Sequence, residues 1–201
     1  MTGQYRTGRY WRNLAILSVR KPGDAARVLM ALGLGTGVLW NALVLIAIAN
    51  AVQFSLSNMI LPGPSPLPEI LGAPLVYFAI VAGGLSLTAL SIYWTGRFMG
   101  GEGTLADVLV LIVWMQILRL LVQVAVLVLV FVMPILSILL VIIAGLIGVY
   151  MLVNFINQAH RFNSAAKAAV VLVLSILAIV AGLSLLLTIF VGPYSGATLN
   201  V

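Results

Sequence analysis

The sequence predicts an all-α protein that crosses a membrane five times, with a cytoplasmic N-terminus and an external C-terminus. Of its 201 residues, 63% are hydrophobic and 7% are charged, whereas soluble domains carry about 25% charged residues. The mean hydropathy is +1.23. Five apolar stretches are each long enough for a bilayer core of about 30 Å. All the basic residues except Arg119 flank these stretches on one side, which predicts the orientation.

The predicted spans follow from runs of about 20 or more apolar residues. They cover residues 31–55, 74–94, 105–132, 135–155 and 168–191. These spans divide the chain into a basic cytoplasmic segment (1–29), a five-helix transmembrane domain (30–192) and an external tail (193–201). Residues 105–157 would form about 80 Å of helix, far more than one crossing. A tight hairpin at Pro134 is therefore predicted, because proline suits the first turn of a helix.

The connecting segments alternate in charge. The segment 58–73 contains no Lys or Arg, whereas 95–104 contains Arg97 and 157–167 contains Arg161 and Lys167. Cytoplasmic loops carry an excess of basic residues, so the last two segments are predicted to be cytoplasmic. Thr104 and Asp107 stand at capping-box spacing and predict the start of the third span.

The basic N-terminal segment is predicted to contact the membrane surface. Residues 10–18 have an apolar helical face, typical of a short helix on the inner leaflet; a mobile basic tail is the alternative. The expected partner is a bilayer with anionic headgroups rather than nucleic acid, since the positive charge lies beside apolar spans. The predicted surface-contact residues are Arg6, Arg9, Trp11, Arg12, Arg20 and Lys21.

Few residues are available for catalysis. The chain has four acidic residues, one histidine and no cysteine, and the acids are spread over separate segments. His160 has no companions at metal-ligand spacing and is interpreted as a loop residue. No metal site, cofactor or enzymatic activity is therefore expected.

Arg119 lies in the middle of the third predicted span. An arginine at that depth costs about 2.5–3.5 kcal/mol on insertion scales, so it should face protein or water rather than lipid. Gln116, Arg119 and Gln123 form one polar stripe on a helix. The favoured hypothesis is a tether in which Arg119 binds neighbouring helices; an anion or headgroup site is the alternative. Asn50, Gln53 and Ser57 form another polar stripe, on the first predicted span. Possible polar partners between helices are Asn50, Gln53 and Asn154.

Small residues four apart predict faces where helices approach each other closely. The pairs are Gly33 with Gly37, Ala79 with Gly83, Ala144 with Gly148, and Ala178 with Gly182. Such pairs are frequent in membrane proteins, and they indicate close packing without identifying the partner helix.

Two short segments resemble a known family. Residues 20–27 (RKPGDAAR) lead into the first span, and residues 96–104 (GRFMGGEGT) lead into the third. With five spans and a cytoplasmic N-terminus, the chain resembles the Yip (Ypt/Rab-interacting protein) domain family in its bacterial form. Many members have a proline within the third span, where this chain has Trp114, Met115 and Gln116.

The resemblance implies an integral membrane protein without catalytic residues. Eukaryotic members are linked to vesicle trafficking and Rab-type GTPases through a long N-terminal region; the region here is short, so GTPase binding is not expected. The predicted function is that of a non-enzymatic subunit in a bacterial inner membrane, with an interaction, organising or accessory role toward other membrane proteins and lipid. The expected protein partners are other integral membrane proteins or a second copy of the chain. The alternative is a small transporter or channel that uses the Arg119 stripe.

Overall fold

A computed structural model describes residues 8–61 and 73–195, with side chains described as far as residue 185. This part of the chain forms seven α-helices. They are α1 Gly8–Arg20, α2 Pro22–Met30, α3 Thr36–Ile60, α4 Pro74–Phe98, α5 Leu105–Val132, α6 Pro134–His160 and α7 Ala165–Ser195. The last five are long and apolar enough to span a membrane. The predicted all-α, five-span fold is confirmed.

The first span begins five residues later than predicted. A separate helix, α2, ends at Met30, and α3 begins at Thr36. Gly33 has a φ of 59°, a left-handed conformation that glycine adopts without strain. Gly33 therefore lies in a turn between helices, and the proposed pair with Gly37 does not share one helix face. The predictions for the outer loop 62–72, for Arg6 and for residues 196–201 fall outside the described residues.

The tight hairpin between the third and fourth spans is confirmed. Met133 alone separates α5 from α6, and Pro134 is the first residue of α6. The backbone N of Met133 donates to the O of Leu129 at 2.7 Å, and the N of Ser137 donates to the O of Met133 at 3.2 Å. Pro134 has no N–H, so the first position of α6 adds no unpaired backbone donor.

The N-terminal third of α5 is enclosed by the other helices. Seven consecutive residues, 108–114, are buried, whereas a helix that packs on one side buries only a stripe. Here α3, α4 and α6 contact α5 from the bundle side, and α2 also packs against it. Beyond Trp114, α5 is partly exposed. A space beside α5 therefore opens where this enclosure ends.

The short helix α1 is held against α5 by its polar and aromatic side chains. Nε1 of Trp114 donates to Oγ of Ser18 at 2.8 Å, and Oγ of Ser18 donates to the O of Leu14 at 2.8 Å. Leu14 and Ser18 are both buried. The helix predicted over 10–18 is present within α1, and its Leu14 and Ser18 pack on protein.

Candidate functional site

A large groove runs along α5 between α3 and α6. Its volume is about 1040 Å³, at the upper end of the range for small-molecule sites. Most of its lining is apolar and comes from α1, α3, α5 and α6, with Tyr77 from α4. Leu121, Val141 and Ile143 line it and are also exposed on the surface. The groove is therefore open on the side that faces lipid.

The polar stripe of α5 lies on this groove. Gln116, Arg119 and Gln123 all line it. Arg119 is exposed, and its guanidinium makes no hydrogen bond or ion pair with any described residue. Oε1 of Gln123 is buried and has no hydrogen-bond partner in the described structure. The stripe thus presents donors and acceptors that the described protein does not use.

The polar stripe of α3 lies on the same groove. Asn50, Gln53 and Ser57 line it opposite α5. Nδ2 of Asn50 donates to the O of Ile46 at 2.9 Å, within its own helix. Oε1 of Gln53 is buried without a hydrogen-bond partner among the described residues. Asn154 is placed elsewhere, and its Nδ2 donates to the O of Tyr150 in its own helix at 2.8 Å.

The N-terminal basic residues divide into two groups. Arg12 lines the groove, together with Ala15, Ile16 and Val19 of the same helix. The other described basic residues of the segment 1–29 do not line the groove and are exposed; they are Arg9, Arg20, Lys21 and Arg27. Trp11 is 40% exposed, and its ring centroid lies 5.8 Å from that of Trp114. Arg12, the residue after Trp11, is thus placed near the same position along α5 as Trp114.

The interpretation of His160 as a loop residue is wrong. His160 is the last residue of α6 and is 1% exposed. Its Nδ1 lies 3.2 Å from the O of Ile156, and its ring stacks on Phe162 with centroids 5.3 Å apart. Burial depends on contacts from a distant segment, which the spacing around His160 does not reveal.

Glycines of the segment 96–104 make room for this histidine. A Cβ added to Gly96 would lie 2.1 Å from Nε2 of His160, and one added to Gly101 would lie 2.7 Å from Cβ of His160. A Cβ on Gly103 would lie 2.5 Å from the O of Ala159. The glycines therefore serve close packing between the α4–α5 turn and the end of α6 as well as chain flexibility.

The α4–α5 turn is also fixed by polar contacts. Thr104 and Asp107 form the predicted capping box, each side chain bonding to the other's backbone N at 3.1 Å. The backbone N of Glu102 donates to the O of His160 at 3.1 Å, and Nη1 of Arg161 donates to the O of Glu102 at 3.1 Å. The turn and the end of α6 therefore form one hydrogen-bonded cluster at the same end of the helical bundle.

The remaining small-residue pairs do not pack within the described chain. A Cβ added to Gly83, Gly148 or Gly182 would meet no neighbouring atom within 4 Å. Gly148 and Ala144 instead line the groove, where their small size widens it. The faces around Gly83 and Gly182 are open.

The family assignment follows from a comparison with protein-family models. The model of the Yip1 domain matches residues 16–186, a range that begins in α1 and ends in α7. The match includes both the segment 20–27 and the segment 96–104. No curated protein and no solved structure matches the chain. This chain is an integral membrane protein that belongs to the Yip1 domain family.

Proposed function

We propose that the chain is a non-enzymatic accessory protein of a bacterial inner membrane, which organises lipid and other membrane proteins, and that its groove takes up a lipid. The single observation behind this proposal is the groove of about 1040 Å³ that opens toward the lipid-facing surface. Its lining is mainly apolar with one polar strip, the composition expected where an amphiphile binds.

The depth of the groove favours a lipid as its occupant. The lining extends from Arg12 and Val19 on the cytoplasmic side to Leu61 at the outer end of α3. An apolar surface at this depth is solvated by acyl chains, whereas Arg119 and the glutamines require a polar partner. A phospholipid supplies both in one molecule.

Contacts with other membrane proteins are the second part of this function. The open backbone surface at Gly83 on α4 and Gly182 on α7 allows another helix, from a second copy or another protein, to approach closely. The exposed basic residues of α1 and α2 face the side where anionic headgroups lie, given the charge distribution of the loops.

The test is purification of the full chain from native membranes in a mild detergent, followed by identification of bound lipid and protein by mass spectrometry. We expect bound phospholipid and at least one co-purifying membrane protein or a dimer. Gly148→Phe should fill the groove and reduce bound lipid, because an added Cβ meets no atom there. Gly84→Phe, outside the groove, is the matched control. A monomer without lipid contradicts the proposal.

A small transporter or channel is the second candidate. The observation that favours it is that Gln53 and Ser57 on α3 share the groove with the stripe of α5. In the five-span topology, both helices run from the cytoplasmic to the outer side, so their polar residues form two parallel rows. Flux of solute or lipid in liposomes that is lost in Arg119→Leu with intact folding would support this candidate over the accessory function.

A further inference from the structure

The groove carries positive charge and no negative charge. Among its lining residues, Arg12 and Arg119 are charged, and neither Asp nor Glu lines it in the described part of the chain. In a site surrounded by apolar side chains, two guanidinium groups strongly favour an anion, because screening by water is weak there. The occupant that satisfies this site is therefore negatively charged.

The two arginines come from different elements that are joined at Trp114. Arg12 follows Trp11, whose ring contacts that of Trp114, and Arg119 lies five residues beyond Trp114 on α5. At 1.5 Å per residue, this separation is about 7.5 Å along the helix. The bond between Trp114 and Ser18 holds α1 beside α5, and both arginines line the groove.

Arg119 has a strong requirement for a partner. Its N–H groups bond to no described residue, and a guanidinium without a partner within a membrane is unfavourable. A phosphate accepts several of these N–H bonds in charge-assisted, bidentate geometry. In such a pair, the positive charge of Arg119 and the negative charge of the phosphate neutralise each other at the same depth in the membrane.

The glutamines complement the arginines. Oε1 of Gln53 and Oε1 of Gln123 have no donor in the described structure, and both residues line the groove. An amide oxygen accepts hydrogen bonds. A headgroup with hydroxyl groups would supply donors to these oxygens after a rotation of each amide.

We propose that the groove is a binding site for an anionic phospholipid with a hydroxylated headgroup. Arg119 and Arg12 bind its phosphate, Gln53 and Gln123 accept bonds from its headgroup, and the apolar wall holds its acyl chains. This inference rests on the proposed function, because it names the class of lipid that the groove selects.

The experiment measures lipid selectivity by native mass spectrometry. The full chain in detergent is titrated with dioleoylphosphatidylglycerol or with the zwitterionic dioleoylphosphatidylcholine. We expect the anionic lipid to bind about tenfold more tightly, because its phosphate is not neutralised by a choline cation and because its headgroup hydroxyls can donate to the glutamine oxygens. Arg119→Gln and Arg12→Gln should each reduce this preference, whereas Arg119→Lys should retain part of it. Arg97→Gln, which removes the same charge outside the groove, should leave it unchanged.

The outcomes separate this inference from the proposed function. Equal binding of both lipids, or a preference that persists when Arg12 and Arg119 are both replaced, overturns the anionic site but leaves lipid binding intact. Binding of neither lipid overturns both proposals. Displacement of the bound lipid by inorganic phosphate at equal concentration shows a free anion as the ligand and overturns the lipid assignment. If Arg119→Gln does not fold, Arg12→Gln on α1 still decides the question.

Discussion

The indole nitrogen of Trp114 donates a hydrogen bond of 2.8 Å to the hydroxyl of Ser18, and both side chains are buried. This bond joins residues that are 96 positions apart in the chain. It fixes the surface helix α1 to the third span at the point where the enclosed part of α5 ends. The placement of Arg12 at the groove depends on it.

Ser18→Ala should therefore loosen α1 from the bundle. The N–H of Trp114 would lose its acceptor in a buried position, at a cost of about 1–3 kcal/mol. The expected result is a lower thermal unfolding temperature together with faster hydrogen exchange in residues 10–20. Ser86→Ala is the matched control, because the Ser86 hydroxyl bonds within its own helix at 2.7 Å. Unchanged exchange in α1 would contradict the role given to this bond.

Gly96→Ala should destabilise the cluster formed by the α4–α5 turn and the end of α6. The new Cβ would lie 2.1 Å from Nε2 of His160, so the histidine or the helix must move, and overpacking of this kind costs about 1–3 kcal/mol. The free energy of unfolding in detergent measures the loss. Gly83→Ala, where no atom lies within 4 Å, should be neutral or slightly stabilising.

A second variant decides whether the histidine is the cause. In a His160→Ala background, the same Gly96→Ala change should cost much less, because the clashing ring is absent. Equal losses in both backgrounds would show that the effect of Gly96→Ala arises from elsewhere.

Arg119→Leu should preserve or raise stability. The substitution removes an arginine whose insertion costs about 2.5–3.5 kcal/mol, and no described residue loses a hydrogen bond. Thermal unfolding in detergent without added lipid provides the measurement. Arg161→Leu is the contrast, because it removes a bond to the O of Glu102 and a contact of 3.8 Å with Asp107. A large loss of stability in Arg119→Leu would favour the tether.

Thr104→Ala should loosen the start of α5. Removing a capping side chain typically costs about 1 kcal/mol, since the backbone N of Asp107 loses its acceptor. Hydrogen exchange at residues 105–108 should increase. Thr88→Ala, whose hydroxyl bonds to Gly84 within its own helix, should leave the exchange of residues 105–108 unchanged.

The topology can be tested directly because the chain has no cysteine. Single cysteines at Met133, Arg97 and Lys167 would each react with maleimide, since all three positions are exposed. We expect an impermeant reagent outside intact cells to label Met133→Cys, and to label Arg97→Cys and Lys167→Cys only after the membrane is opened. Labelling of Met133 and Lys167 from the same side would contradict five spans.

Local signals in the sequence were sufficient for much of the fold. The five spans, the hairpin at Pro134 and the capping box of Thr104 each depend on neighbouring residues, and the structure has all of them. Hydropathy places the start of the first span too early, because Gly33 and Leu34 continue the apolar run. A hydropathy profile gives no information on backbone conformation and therefore does not detect the left-handed turn at Gly33.

Nonlocal contacts account for what could not be predicted. The burial of His160 requires Gly96 and Gly101, about 60 residues earlier, to lie against it. The two polar stripes could be identified from helical spacing, but spacing gives no information on which helices become neighbours. That the stripes of α3 and α5 line the same groove emerges only when the helices are packed together.

The one-residue link between α5 and α6 has a consequence for biogenesis. Only Met133 separates α5 from α6, so we expect the two helices to enter the bilayer as a pair. The apolar side chains of α6 then contribute to the same insertion step as Arg119. The transfer cost of the arginine in the third span is thus offset by the apolar side chains of both helices.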